Sequence, residues 1–180
     1  MRGGGARDFR IRPAAAADVP QILAVMDRAR AALPVPEWFV ADDAAYLHAH
    51  LDGPLGFCLV AETPGRSLAA YFTVKLAGTA PDALGRYLSL DDQALRQTAQ
   101  MDSCCVVPGC RGHSLEGRLL LECEARLRGR PDGPWRRCLA TVHPDNLASL
   151  YSFLHRGYSI AAENVLCYGG KRRHILAKLL

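Results

Sequence analysis

Most of the chemistry the sequence could do is concentrated in Val106-Val-Pro-Gly-Cys-Arg-Gly-His-Ser-Leu-Glu-Gly-Arg-Leu-Leu. There an apolar run breaks at Pro108, and a turn rich in Gly and Arg leads into an apolar-periodic helix. A strand, turn and helix joined in this way aim several unpaired backbone N–H groups and the positive end of the helix dipole at one point, which suits a phosphate. Arg111 adds a cation there. Taken alone, the segment fits an ordinary strand-to-helix turn with a surface arginine equally well.

A second basic feature is broader. Residues 126–180 carry ten Lys or Arg against three acids, whereas residues 1–125 carry twelve against fifteen. Without interleaved aromatic residues or a nucleic-acid motif, this favours a solvated basic surface over nucleic-acid binding. The seven cysteines include no Cys-x-x-Cys pair, so they read as reduced thiols with no metal centre.

The elements that must carry these residues follow from periodicity. Phe9-Arg-Ile-Arg alternates as a strand, and Asp18-Val-Pro-Gln opens a helix with Asp18 and Gln21 in capping-box positions. Val19, Ile22, Leu23, Met26 and Leu33 then recur on one face of that helix. A second helix is expected over residues 42–51, and a hairpin from 56–62 and 68–76 around Thr63-Pro-Gly-Arg. Residues 78–96 form a mixed insertion with a short helix over 91–96. Strand 97–107, helix 114–129 and strand 138–143 come next. Asn146 opens a helix whose stripe reads Leu147, Leu150, Tyr151, Leu154 and Tyr158, and strands 159–167 and 172–179 close the chain.

With 180 residues, 49% hydrophobic and 22% charged, the chain suits one domain with a real core. No run approaches the roughly 20 apolar residues of a membrane span. The segment from Met1 to Phe9 lacks the apolar core of a secretory signal. The expectation is a soluble cytoplasmic protein with residues 1–7 as a loose arm and one domain over 8–180, acting with no nucleic acid and no membrane.

Val106 to Leu115, written Val-x-Pro-x-x-Arg-Gly-x-x-Leu, resembles the acetyl-CoA signature of the GNAT superfamily of N-acetyltransferases. The stretch Val142-His-Pro-Asp-Asn-Leu-Ala-Ser-Leu-Tyr-Ser-Phe-Leu-His-Arg-Gly-Tyr is similar to the family's second diagnostic segment, an Asn eleven positions before a Gly and an aromatic. The resemblance runs from about residue 8 to the C-terminus. It implies an α/β (α+β) fold, a mixed, mostly antiparallel twisted sheet of about seven strands flanked by about four helices.

The resemblance also implies a site. The pyrophosphate loop falls on Arg111, Gly112, His113, Ser114, Leu115 and Glu116, with backbone N–H groups doing the binding. Pantetheine lies along the strand that ends at Val106 and Val107, and Asn146, Ser149 and Phe153 reach it from the next helix. Ser114 and Glu116 replace the family's small residues, so side chains stand where backbone normally approaches phosphate. Phe153 stands where many members carry the Tyr that protonates the leaving thiolate. Asp102 is then the first candidate for a general base and Tyr168 the second candidate acid. His113 and His143 read as structural or cofactor-contact residues, and Trp38, Phe39 and Tyr87 as walls of the acceptor pocket. Acetyl-CoA is the implied cosubstrate and a small-molecule or peptide amine the implied acceptor, with a homodimer left open. The departures at Ser114, Glu116 and Phe153 keep a second reading alive, a CoA-binding or regulatory module with little catalytic activity.

Overall fold

The turn Thr63-Pro-Gly-Arg joins β3 (Gly56–Glu62) to β4 (Leu68–Lys75), an antiparallel pair at the heart of the molecule. The computed structural model describes residues 8–133 and 135–180; the expected arm, residues 1–7, lies outside the described residues. Residues 56–61 and 68–74 are buried without a break. Such strands read as continuous apolar runs because both faces of the sheet are covered.

On the outer edge of β3 lie β1 (Arg10–Pro13) and the two-residue β2 (Asp52–Gly53). On the other side β4 pairs with β5 (Thr98–Val106), and β5 pairs in parallel with β6 (Arg137–Val142). Then β6 pairs with β8 (Lys171–Leu179), which pairs with β7 (Ser159–Cys167), giving the order β1-β3-β4-β5-β6-β8-β7.

Helices α1 (Val19–Ala31) and α2 (Ala44–Ala49) cover one face, where Ile22, Met26 and Leu47 pack on Cys58, Val60 and Tyr71. A short α3 (Asp92–Arg96), capped by Asp91, precedes β5. Helices α4 (Leu115–Gly129) and α5 (Leu147–Leu154) cover the opposite face, with Leu119, Leu120, Cys123 and Phe153 over Phe57, Leu59 and Phe72. The described residues thus form eight strands and five α-helices, in a mixed and mostly antiparallel sheet as expected. The strand added to the expected set is β2, and α3 is the short helix expected over 91–96.

Two local expectations are corrected. Asp18 does not cap α1: its carboxylate accepts two bonds from the Arg12 guanidinium, at 2.7 and 2.9 Å, and the Ala15 N–H. Gln21 instead accepts the Leu68 N–H, so a charge-assisted tertiary bond has outcompeted the local cap. On α5 the buried residues are Leu150 and Phe153, while Leu147 and Tyr151 are about half exposed and Tyr151 stacks on His155. The helix is short, and Phe153 is held edge-on against Tyr158 with ring centroids 5.0 Å apart, which turns the apolar stripe away from Tyr151.

Candidate functional site

Pairing between β5 and β6 runs only from Thr98 with Arg137 to Met101 with Ala140. Beyond that point β5 continues to Val106 without its neighbour, and a cavity of about 680 Å³ opens where the two strands part. Its walls include Asp102, Cys104 and Val106 of β5, the last turn of α1, the first turn of α4 and the cavity-facing side of α5.

At one end the chain leaves β5 through Pro108 and reaches α4 by two left-handed residues, Gly112 at φ 81° and Ser114 at φ 54°. Glycine adopts this conformation freely and serine at some cost, so the turn is held by its surroundings. The first helical bond of α4 runs from the Arg118 N–H to the Ser114 carbonyl at 2.9 Å, which leaves the amides of Leu115, Glu116 and Gly117 without acceptors inside the helix. Arg111, Gly112, Ser114, Leu115 and Glu116 line the cavity here. His113 does not, since its ring lies against Phe9 at 5.3 Å, and Val107 is drawn into the core with its N–H on the Ala69 carbonyl.

Glu116 is the unusual group in this turn. Burial pushes its carboxyl up to about 7, against the pull of the Arg156 charge and the Ser152 and Ser149 hydroxyls. Arg156 comes from the loop after α5 and its Nη1 donates to the Ser152 carbonyl at 2.8 Å. The guanidinium lies so close over Gly117 that a Cβ there would sit 1.6 Å from it. Across the cavity, Asn146 caps α5 by accepting the Ser149 N–H at 3.4 Å, and Asn146, Ser149 and Phe153 all line the wall.

At the other end, the register between β4 and β5 slips: Thr73 pairs with Ser103 and Val74 with Met101, so Asp102 is the extra residue of a β-bulge. Bulges re-aim a side chain, and this one puts Asp102 in the cavity wall. The Tyr46 hydroxyl donates to Asp102 at 2.5 Å. Burial raises the Asp102 carboxyl above the usual carboxylate range, with the Tyr46 bond opposing it. Asp42 accepts the Ser103 hydroxyl at 2.6 Å and is pushed up to about 6, mainly by burial and further by the charge of Asp102. Tyr168, in the left-handed turn between β7 and β8, holds its hydroxyl 3.0 Å from Thr141 Oγ1, on a residue of the cavity wall. Burial, and then the nearby Asp102, raise its pKa.

Trp38 and Phe39 line the cavity, and Trp38 stacks on His143 at 5.8 Å. Burial and the Arg173 charge lower the His143 pKa. Buried Arg173 donates to the Glu37 carbonyl at 3.0 Å and so ties the loop that carries Trp38 to β8. Tyr87 stands apart from the cavity, half exposed on a turn beside Cys167.

Sequence reading missed Asp42, Tyr46 and Arg156. Asp42 and Tyr46 flank the start of α2, and Arg156 follows the end of α5, just before Gly157. Those are signals, but Tyr46 finds its partner Asp102 56 residues further along, and Arg156 meets Glu116 from a different element.

No protein-family model and no curated protein matches the sequence. Solved structures do match. A GNAT superfamily phosphinothricin acetyltransferase from Sinorhizobium meliloti, in complex with AcCoA, aligns with a TM-score of 0.71 at 14% identity over 96% of this chain and 88% of that one. An acetyltransferase of the GNAT family from Streptococcus pneumoniae gives 0.70 at 16% identity over 96% and 99%. A ribosomal-protein-alanine N-acetyltransferase from Brucella melitensis gives 0.67 at 21% identity over 95% and 99%. At such identities the likeness is one of fold, and the fold of this chain is that of the GNAT acetyltransferases.

Proposed function

We propose that the chain is an acyltransferase that moves an acetyl group from acetyl-CoA to a primary amine by direct attack. The observation that carries this reading is the parting of β5 from β6 beyond Met101, which opens one cavity that also takes in a helix start with unbonded amides. A parted strand offers its free edge to an extended pantetheine, and the helix start offers N–H groups to a pyrophosphate. Val106, Asn146, Ser149 and Phe153 would line the first, and Arg111, Gly112, Ser114, Leu115 and Glu116 the second.

Acetyl-CoA supplies the thioester. The N–C bond forms as the C–S bond breaks, and the nitrogen must lose a proton while the sulfur gains one. Asp102, its affinity for a proton raised by burial, takes the first directly or through water, and the Tyr46 hydroxyl orients it. Tyr168 gives the second in place of the tyrosine that Phe153 replaces. Burial keeps Cys104 and Cys105 as neutral thiols, which favours direct attack over a thiol relay. Trp38 and Phe39 form the acceptor walls. The seven free cysteines suit a reducing compartment, in keeping with a cytoplasmic enzyme. Among the described residues no helix is long and apolar enough to cross a membrane.

Thiol release from acetyl-CoA across a panel of amines tests the reading, and Asp102→Asn should slow it by about 10²- to 10⁴-fold. Phe153 and Glu116 favour a second reading, a CoA-binding module with little activity. Tight CoA binding with no amine accelerating thiol release would select it.

A further inference from the structure

Three positive features meet at the first turn of α4: the unbonded amides, Arg111 on the loop before it, and Arg156 laid across Gly117. One carboxyl answers them, that of Glu116, in the same cavity wall. Arg156 reaches the spot only because residue 117 has no side chain, and its hydrogen bonds go to the Ser152 carbonyl and hydroxyl rather than to Glu116. A guanidinium tethered on one side, with the cavity on the other, is preorganised for an anion that arrives from outside.

Building on the coenzyme reading above, we propose that Arg156 is a further ligand for the phosphates of CoA, and that Glu116 is the internal anion those phosphates replace. The groups facing Glu116 are Arg156, Ser149 and Ser152 from the α5 side and Cys104 and Cys105 of β5, whose thiols its charge pushes further up, with Arg111 in the same cavity wall. Phosphate binding draws the Arg156 charge away from Glu116 and sets new negative charge beside it. Both changes favour the protonated carboxyl. Glu116 already titrates at about 7 in the free protein, so CoA binding takes up a proton just above neutrality, and affinity falls as pH rises.

The test is calorimetry with CoA at about pH 7.5 in two buffers of different ionisation enthalpy. Wild type should take up a proton, and Glu116→Gln should take up none while binding at least as tightly. Arg156→Gln should weaken binding about tenfold or more, with Arg156→Lys recovering part of the loss. Absence of proton uptake in the wild type, or wild-type affinity in Arg156→Gln, overturns the proposal. Should Arg156→Gln fail to fold, the wild-type and Glu116→Gln arms still decide it. No binding heat from wild type or any variant would remove the coenzyme reading itself, and this inference with it.

Discussion

At the scale of single residues, the proposed site has a phosphate end at the start of α4 and an acid end at Asp102. Arg111 sits exposed in the loop wall, so its loss leaves no buried group unpaired. Arg111→Ala should therefore weaken CoA binding by about 1 to 3 kcal/mol and leave the melting temperature nearly unchanged, as titration and thermal melts would record. Tyr46 acts at the acid end. Its hydroxyl stabilises ionised Asp102 against the burial that raises it. Removing that donor in Tyr46→Phe raises the Asp102 pKa further, so the acid limb of the kcat/KM profile should move to higher pH. A limb that stays in place would take Asp102 out of the rate-determining ionisation.

At the scale of elements, α4 is bent to the needs of its neighbour. A glycine inside a helix costs about 1 kcal/mol relative to alanine, so Gly117→Ala would ordinarily stabilise the protein. Here the new Cβ meets the Arg156 guanidinium, which has to move. The expected result is non-additive: Gly117→Ala alone gains little or loses stability, whereas in an Arg156→Ala background the same change recovers the full helix preference. Denaturant midpoints of the two single variants and the double variant measure the coupling. The bulge at Asp102 is a second case, in which one extra residue in β5 turns a side chain that ordinary alternation would direct elsewhere.

For the whole molecule, raised and lowered acids pull stability in opposite directions with pH. Asp18 and Asp82 are lowered by Arg12 and Lys75, so their contribution appears as pH rises through the ordinary carboxylate range and is lost in acid. Asp42 at about 6 and Glu116 at about 7 are raised, so the folded state holds their protons longer than the unfolded chain does. Their contribution is fully present below about 4 and is lost as pH rises to 6 and 7. Without ligand, the melting temperature should fall between about pH 5 and pH 7.5, and Glu116→Gln should flatten that fall. The same division runs through what could be read in advance. Continuous apolar runs, breakers and helical spacing are local, and they determined the element order, the hairpin, the helix start after Ser114 and the candidate anion loop. The capping of α1 departs from its local pattern because Arg12 reaches Asp18 more strongly than the helix end does. The pairing of Tyr46 with Asp102, the seating of Arg156 on Gly117, and the removal of Tyr87 from the cavity were decided only by tertiary structure. Each depends on where strands part or slip in register, and a hydrogen bond or a close contact between distant segments leaves no periodic trace in either of them.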